Sequence, residues 1–265
     1  MLKNLSHFKQ TVSSYYREKK RNFPWRDIDN PYFIFISEVM LQQTQAHRVI
    51  AKYNKFIQLF PTVESLAKAS NIEVLRVWQG LGYNRRALFL KKSAEIICEK
   101  YTGKIPRIVE KLTGLPGIGY STACAIATFA YNIPTVFIET NIRTVFIHFF
   151  FKEKENVSDQ EILELVTKTV DKNNPRDWYY ALMDYGVFLK KKYKNPSRKS
   201  KSYSKQSRFE GSKRQLRGNI VKLLLEKKRL RLMEIDGDLE TVKKVMEELE
   251  KEKLIKRKGS VYTIA

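Results

Sequence analysis

The sequence is poor in cysteine. Its 265 residues include only Cys98 and Cys124, and each lies in an apolar helical pattern. Two cysteines cannot supply the four thiolates of a structural zinc or iron–sulfur site. We therefore expect no metal site, and we expect both thiols to be small buried hydrophobes in a reducing compartment.

Long hydrophobic runs are also missing. No stretch approaches the ~20 apolar residues of a membrane-spanning helix, and the first twenty residues show no signal-peptide core. Hydrophobic residues nevertheless make up 43% of the chain, which is enough for a buried core. No membrane contact is expected.

Acidic residues are scarce relative to basic ones. Lys and Arg number 50 against 28 Asp and Glu, which gives a formal net charge of +22. Such an excess points to a polyanionic partner, and nucleic acid is the commonest one. A solvated lysine-rich surface is the alternative that charge alone leaves open.

Helical periodicity dominates most of the chain. It predicts a helix over residues 5–20, about six helices between Pro31 and Pro134, a buried one after Glu139 that contains the apolar run from Val145 to Phe151, and two more near 158–173 and 176–190. Two of the apolar stripes that define these and later helices are Val49, Tyr53, Phe56 and Ile57, and Leu239, Val242, Val245, Met246 and Leu249. Short loops separate the helices and leave little room for a sheet, so the predicted class is all-α.

The last quarter of the chain has a different character. Twelve Lys or Arg and a single Glu lie between Lys190 and Arg217, which indicates a basic connector on phosphates or a disordered linker. Residues 216–265 then predict three helices and a β-hairpin around a Lys-Gly-Ser turn. This order resembles a winged helix, and we favour an auxiliary role for it.

Residues 115–143 carry the most specific local pattern. Gly117 and Gly119 bracket one residue in Leu-Pro-Gly-Ile-Gly, where glycine permits positive φ and close backbone approach. A helix begins directly after them, and its free amides, near Ser121, suit a phosphate. Many helix-turn-helix corners contain the same residues, so this pattern alone does not establish nucleic-acid binding.

Five strings in order carry a resemblance to a known family. They are Pro24-Trp25-Arg26, the run from Ser37 to Gln45 (SEVMLQQTQ), Gly80-Leu81-Gly82-Tyr83, Leu115-Pro116-Gly117-Ile118-Gly119, and the run from Ala181 to Gly186 (ALMDYG). With them the chain resembles the helix-hairpin-helix DNA glycosylases, the superfamily of endonuclease III, and most closely the MutY branch. The resemblance covers about Phe23 to Gly186.

The resemblance implies roles for particular residues. Glu38 would be the acid on the adenine side. Gln42 and Gln43 would wedge into the duplex, and Tyr83 would insert beside the opposite base. Asn141 would assist at the sugar, and the amides of the 115–121 hairpin would hold a phosphate, often with a monovalent cation.

Each of these assignments has a plain structural alternative. Glu38 could be a solvated helix residue, Gln42 and Gln43 could cap or solvate a helix end, and Tyr83 could pack as a lid on the core. Asp184 is interpreted as structural, an interhelical hydrogen-bonding residue, although it lies in a matching string.

Three departures from the family pattern matter. Glu139 stands where the family has a catalytic aspartate, and an N-cap or surface role is the alternative for it. Ser121 stands where bifunctional lyases have a Schiff-base lysine. Residues from Phe188 to Tyr193 replace the cysteine loop of an iron–sulfur cluster, so the chain resembles a branch that lacks the cluster, and no cofactor is expected.

The resulting hypothesis is a two-lobed all-α enzyme with a small winged-helix-like appendage. The predicted domains are a lobe from 31–137, a second lobe from 1–30 plus 138–190, a connector over 191–215, and the appendage over 216–265. Glu38 and Glu139 would face a cleft between the lobes.

The function implied is that of a monofunctional DNA glycosylase. It would act as a monomer on double-stranded DNA with a lesion or mismatch, in the cytoplasm with the nucleoid. Adenine opposite 8-oxoguanine is the leading substrate, followed by uracil, thymine in a G·T mismatch, or hypoxanthine. A non-catalytic protein that recognises bent or damaged DNA is the rival.

Overall fold

The computed structural model describes residues 2–265, most of them helical. The α-helices are α1 (Leu2–Lys19), α2 (Pro31–Leu41), α3 (Ala46–Leu59), α4 (Val63–Lys68), α5 (Asn71–Trp78), α6 (Arg85–Tyr101), α7 (Val109–Thr113), α8 (Tyr120–Tyr131), α9 (Thr140–Phe150), α10 (Asp159–Thr169), α11 (Pro175–Lys192), α12 (Lys213–Lys227) and α13 (Leu239–Lys251). The strands are β1 (Ile255–Lys258) and β2 (Val261–Ile264), and short 3-10 turns span Pro196–Lys199 and Leu232–Glu234. The all-α prediction is confirmed.

Seven α-helices lie between residues 31 and 137, where the periodicity predicts about six, because the five-residue α7 is too short to give a periodic signal. Over residues 2–265, no helix is long and apolar enough to cross a bilayer.

Contacts between Cα atoms divide the chain into two compact units. Unit 1 comprises residues 1–34, 107–113 and 118–205, and unit 2 comprises 35–106, 114–117 and 206–265. This division differs from the predicted domain boundaries: residues 118–137 group with unit 1, and the C-terminal segment groups with unit 2.

An aromatic cluster holds α1, α9 and α11 of unit 1 together. The ring of Phe8 contacts four others at centroid distances of 5.0 to 5.7 Å, those of Phe146, Phe149, Phe150 and Trp178. Phe129 of α8 stacks on Tyr180 of α11 at 4.4 Å. Such ring pairs add specific geometry to the burial of large apolar surfaces.

A buried ion pair ties the segment after α1 to α11. Asp184 accepts hydrogen bonds from Arg21 N and Nε (2.8 and 2.6 Å) and from Arg26 Nη1 and Nη2 (2.8 and 2.7 Å). Burial raises the pKa of the Asp184 carboxyl, but the hydrogen bonds and charges of Arg26 and Arg21 outweigh it and hold that pKa below its usual value. The structural, hydrogen-bonding interpretation of Asp184 is confirmed, but its partners lie in the segment after α1 and not on a second helix.

Replacing Asp184 by Asn is expected to lower the free energy of unfolding by about 3 kcal/mol and the Tm by roughly 6–12 °C, because the change leaves buried guanidinium charge unpaired. Thermal melts of the variant measure this. Because the native pKa is lowered, the contribution of the wild-type carboxylate is complete above pH ~4 and is lost as the pH falls through the native pKa.

The control is Glu210→Gln, which removes the exposed Arg208–Glu210 pair. That variant should melt within about 0.5 kcal/mol of the wild type. Equal melting of Asp184→Asn and the wild type would refute the structural role of Asp184.

The N-terminal helices of unit 2 begin at strong caps and bury their apolar faces. Thr62 and Ser70 form capping boxes that begin α4 and α5. The predicted stripe on α3 is buried at Val49, Tyr53 and Phe56. The ring of Trp78 on α5 is fully buried and lies 6.1 Å from that of Phe56.

The C-terminal segment of unit 2 consists of α12, a 3-10 turn, α13 and the predicted hairpin. β1 and β2 pair antiparallel, with Ile255 opposite Ile264. The predicted stripe on α13 is buried except at its first residue, Leu239, which is 57% exposed. Asn71 of α5 donates to the carbonyl oxygen of Ala265 at 2.9 Å, so the segment packs on the core of unit 2.

Candidate functional site

Glu139 forms the N-cap of α9 in unit 1. Its Oε1 accepts hydrogen bonds from the amides of Asn141 (2.7 Å) and Ile142 (2.8 Å), the second and third residues of the helix. These are the amides that a shorter N-cap side chain contacts. The additional methylene of glutamate is thus absorbed by a side chain that folds back on its own helix, and the carboxylate lies at the positive end of α9.

Asn141 and Lys190 extend this contact into a chain of three side chains. Asn141 Nδ2 donates to Glu139 Oε2 at 3.2 Å, and Lys190 Nζ donates to Asn141 Oδ1 at 2.8 Å. Burial lowers the pKa of Lys190, and the Glu139 carboxylate opposes that shift. The amide orientation of Asn141 is therefore fixed from both sides.

Close helix packing makes this chain possible. A Cβ built on Gly186, one turn before Lys190 in α11, would lie 2.5 Å from the carbonyl oxygen of Asn141. Real Cβ atoms do not approach backbone that closely, so glycine is required where α11 crosses the start of α9. The sequence pattern identified Gly186 as part of a matching string without this reason.

Replacing Lys190 by Met is expected to slow the base release that the sequence resemblance implies, about tenfold to a hundredfold, because Asn141 loses the donor that fixes its amide near the Glu139 carboxylate. Single-turnover rates at several pH values measure the effect. In the wild type the rate should fall as the pH rises toward the lowered pKa of Lys190.

Lys190→Arg is the matched control, since it retains the charge at a higher pKa. It should recover part of the rate and move the alkaline decline to higher pH. A Lys190→Met variant with the wild-type rate and pH profile would show that Lys190 only packs.

Glu38 lies in unit 2, on α2. Between Tyr32 and Met40 this helix is buried except at Phe33 and Glu38, which are partly exposed. The carboxylate therefore stands at the one polar, accessible position on an apolar helix. The predicted cleft between Glu38 and Glu139 stays a prediction.

Arg86 organises the end of α2, where the predicted wedge residues lie. Its guanidinium donates to the carbonyl oxygens of Val39 (3.0 Å), Met40 (3.1 Å) and Gln42, and to Thr44 Oγ1 (2.9 Å). A cation is favourable at these C-terminal carbonyls. Burial lowers the pKa of Arg86 to about 10.

The two glutamines differ in their surroundings. Gln42 Nε2 donates to the carbonyl oxygen of Gly117 at 3.1 Å. Gln43 takes a left-handed backbone conformation, with φ of 50°, just after α2 ends, which is the usual conformation of a helix C-terminus. The backbone of Gln43 thus ends the helix, so neither glutamine side chain is needed as a cap. The two side chains remain candidates for DNA contact.

Tyr83 lies in a strained loop. Its φ is +49°, it follows Gly82 at +77°, and its side chain is 40% exposed. The hydroxyl accepts a hydrogen bond from Gln206 Nε2 at 2.7 Å. A left-handed tyrosine costs free energy, and such strain is concentrated at functional positions. The lid alternative does not account for its exposure.

The glycines of the hairpin differ in what they require. Gly117 has a φ of +76°, and a Cβ there would lie 2.8 Å from the Phe89 ring. Gly119 is the N-cap of α8 with an ordinary φ of −81°, and a Cβ there would meet nothing within 4 Å. The backbone thus requires glycine at position 117 but not at 119, where the small residue leaves open space before the first-turn amides of α8 and the exposed Ser121. The role of both glycines in DNA binding stays a prediction.

Across residues 2–265, no group of three or more His, Cys, Asp or Glu is placed to hold a metal ion. Cys98 and Cys124 are both free thiols, on α6 and α8. A four-cysteine cluster does not fit a chain with two cysteines. The absence of a cofactor remains a prediction.

Adenine DNA glycosylases from several organisms are similar in sequence to this chain. The adenine DNA glycosylase of Buchnera aphidicola subsp. Baizongia pistaciae is 36% identical over 187 residues, 69% of this chain and 52% of that protein. The adenine DNA glycosylase of Homo sapiens is 36% identical over 192 residues, 68% of this chain and 35% of that protein. The chain therefore spans about half or less of the length of these relatives.

A solved structure and a family profile also match this chain. The structure of a thermostable thymine-DNA glycosylase matches with a TM-score of 0.64 and 28% identity, covering 70% of this chain and 87% of that one. The family described as "HhH-GPD superfamily base excision DNA repair protein" matches residues 36–172, more than half of the chain. The chain belongs to the HhH-GPD superfamily of base excision DNA repair proteins.

Proposed function

We propose that the chain is a monofunctional DNA glycosylase that hydrolyses the N-glycosidic bond of adenine opposite 8-oxoguanine. The observation that carries this proposal is the Glu139 carboxylate, held by the first amides of α9 and flanked by Asn141 and Lys190. Glycosidic cleavage passes through an oxocarbenium-like state, in which positive charge develops on the sugar as the base departs. A fixed anion near the sugar stabilises that charge.

Glu139 stabilises that cation and orients the attacking water. The carboxylate accepts hydrogen bonds from the first amides of α9 and lies at the positive end of that helix. The backbone amides also hold one carboxylate oxygen in place, which avoids reorganisation during the reaction. The helix amides contact Oε1, whereas Oε2 accepts from the Asn141 side-chain amide, and Oε2 is the oxygen we assign to the sugar side.

Glu38 protonates the leaving adenine. A neutral base leaves more readily than an anion, and a positioned acid typically contributes ~10²- to 10⁴-fold. Glu38 is the one polar, partly exposed side chain on the otherwise apolar α2, so a carboxyl group is available there to a bound base.

The remaining predicted residues hold the duplex and extrude the base. The open space before α8 admits a phosphate to its first-turn amides, and Gln42, Gln43 and Tyr83 fill the gap left in the stack. Phosphate contacts position the duplex without reading its sequence.

The proposed chemistry ends with an abasic site. Ser121 has a hydroxyl where an imine requires an amine, so Ser121 cannot form a covalent Schiff base with the sugar. The strand should therefore remain intact until alkali or another enzyme cleaves it.

Thymine in a G·T mismatch is the second candidate substrate. It is favoured by coverage: the chain spans 87% of the thymine-DNA glycosylase structure but only 52% and 35% of the two adenine glycosylases. Uracil and hypoxanthine follow on the resemblance alone.

The test is a set of single-turnover reactions with enzyme in excess over labelled duplexes. One duplex carries A opposite 8-oxoguanine, three carry A, T or U opposite G, one carries hypoxanthine, and one carries 8-oxoguanine opposite C. Each is analysed with and without alkali. We expect strand cleavage of the A·8-oxoguanine duplex only after alkali. Cleavage of the G·T duplex alone would establish the second candidate, and cleavage without alkali would refute the monofunctional assignment.

A further inference from the structure

A cavity of about 700 Å³ lies within unit 2, between the loop at 79–86 and the C-terminal segment. One wall comes from Arg48, Gly82, Tyr83 and Phe89, and the other comes from the connector and α12. The connector and α12 lie outside residues 36–172, which the family profile matches, so this second wall is a feature of the present chain. The proposed mechanism assigns no role to it.

The cavity is strongly basic. Six of its lining residues are Lys or Arg and one, Glu252, is acidic. Arg217 is neutralised, because it pairs with Glu248 and Glu252. Arg48 and Arg214 donate instead to the carbonyl oxygens of Gly80 and Ser207, which leaves their positive charges uncompensated by these contacts.

Planar groups line the same space. The guanidinium of Arg85 lies 4.7 Å from the centroid of the Phe89 ring, and that of Arg86 lies 5.4 Å from the Tyr83 ring. Phe209 is 56% exposed although it lines the cavity. Aromatic rings and guanidinium planes stack on nucleic-acid bases, and the face of a base becomes available to them only when the base is unstacked.

The connector also contacts a predicted DNA-inserting residue. Gln206 donates to the Tyr83 hydroxyl, and both Gln43 and Tyr83 lie on the cavity wall. The cavity therefore opens beside the side chains assigned to the gap in the duplex. Side-chain amides such as those of Gln43 and Gln206 pair with base edges.

We propose that this cavity receives one unstacked nucleotide of the DNA. Its base would stack on Phe209 or the Arg85–Phe89 pair, and the adjoining phosphate would contact Arg48 and Arg214. The size is suitable, since small-molecule sites span ~300–1,000 Å³. The inference rests on DNA as the partner in the proposed function, but not on base release.

The test compares the binding of the full chain to two duplexes by fluorescence anisotropy. One is fully paired, and the other carries a single extrahelical nucleotide and no damaged base. The wild type should bind the second duplex more tightly. Phe209→Ala and Arg214→Ala should each reduce this preference by about fivefold or more.

Lys256→Ala is the matched control, because it removes an exposed positive charge from β1, outside the cavity. It should weaken binding to both duplexes equally and leave their ratio unchanged. Wild-type ratios in both cavity variants would overturn the proposal. The proposal would also be overturned if free dGMP competed for binding as effectively as the duplex with the extrahelical nucleotide, because that result would indicate a mononucleotide site. Because neither duplex offers a base to excise, failure here is distinct from failure of the glycosylase assignment.

Discussion

Glu139→Gln is expected to lower the single-turnover rate of base release by about a thousandfold, because the amide cannot balance the positive charge that develops on the sugar. The glutamine can still accept hydrogen bonds from the amides of Asn141 and Ile142, so the start of α9 should stay intact. Duplex affinity should remain within about threefold, since the charge acts in the transition state. Rates measured with excess enzyme, beside anisotropy titrations, separate the two effects.

Two variants frame this result. Glu139→Asp keeps the carboxylate and should retain more activity than Glu139→Gln, with a loss of up to about a hundredfold from the displaced anion. Glu210→Gln removes an exposed carboxylate that is not part of the proposed site and should have no effect. A Glu139→Gln enzyme with the wild-type rate would limit Glu139 to its observed role as an N-cap.

Glu38→Gln is expected to reduce base release by about a thousandfold while duplex binding stays largely intact. Glutamine fills the same volume on α2 but has no acidic proton for the leaving base. The measurement is again single-turnover base release, with binding measured separately. A substrate with a better leaving group should be affected less, because it needs less protonation.

Glu247→Gln on α13 is the control, since Glu247 is an exposed carboxylate of the same unit. It should retain the wild-type rate. Full activity of Glu38→Gln would remove Glu38 from the mechanism. It would also restore the alternative of a solvated helix residue.

Local patterns predicted much of the fold. Periodicity located the principal helices, and the Lys-Gly-Ser turn located the hairpin, because both depend on neighbours within a few residues. The role of Glu139 as an N-cap was also open to sequence reasoning, since it immediately precedes a helix. Gly119 shows the limit of that reasoning: the same Gly-x-Gly pattern contains one glycine that the backbone requires and one that it does not.

The missed features depend on contacts between distant residues. Lys190 reaches Asn141 across 49 positions, Arg86 reaches the Gln42 carbonyl oxygen across 44, and Gln206 reaches Tyr83 across 123. No local pattern encodes such pairs. The nearest signals were the lysine run from Lys190 to Lys192 and the Arg85-Arg86 pair after the glycine loop. Each is indistinguishable in sequence from a solvated basic stretch.

The rival hypothesis of a non-catalytic DNA-binding protein makes an opposite prediction. A protein that only binds DNA has no need for a carboxylate held on helix amides beside a fixed Asn141. It would bind damaged duplex tightly and release nothing, with Glu38→Gln and Glu139→Gln indistinguishable from the wild type.

The most direct test is chromatographic detection of the free base after incubating excess wild-type protein with the A·8-oxoguanine duplex. The account predicts one adenine released for each alkali-labile site formed, with the DNA strand intact before alkali. The same measurement is made with the other duplexes of the set under Proposed function. Tight binding to every one of these duplexes, with no free base from any of them, would contradict the assignment of N-glycosidic hydrolysis to this chain.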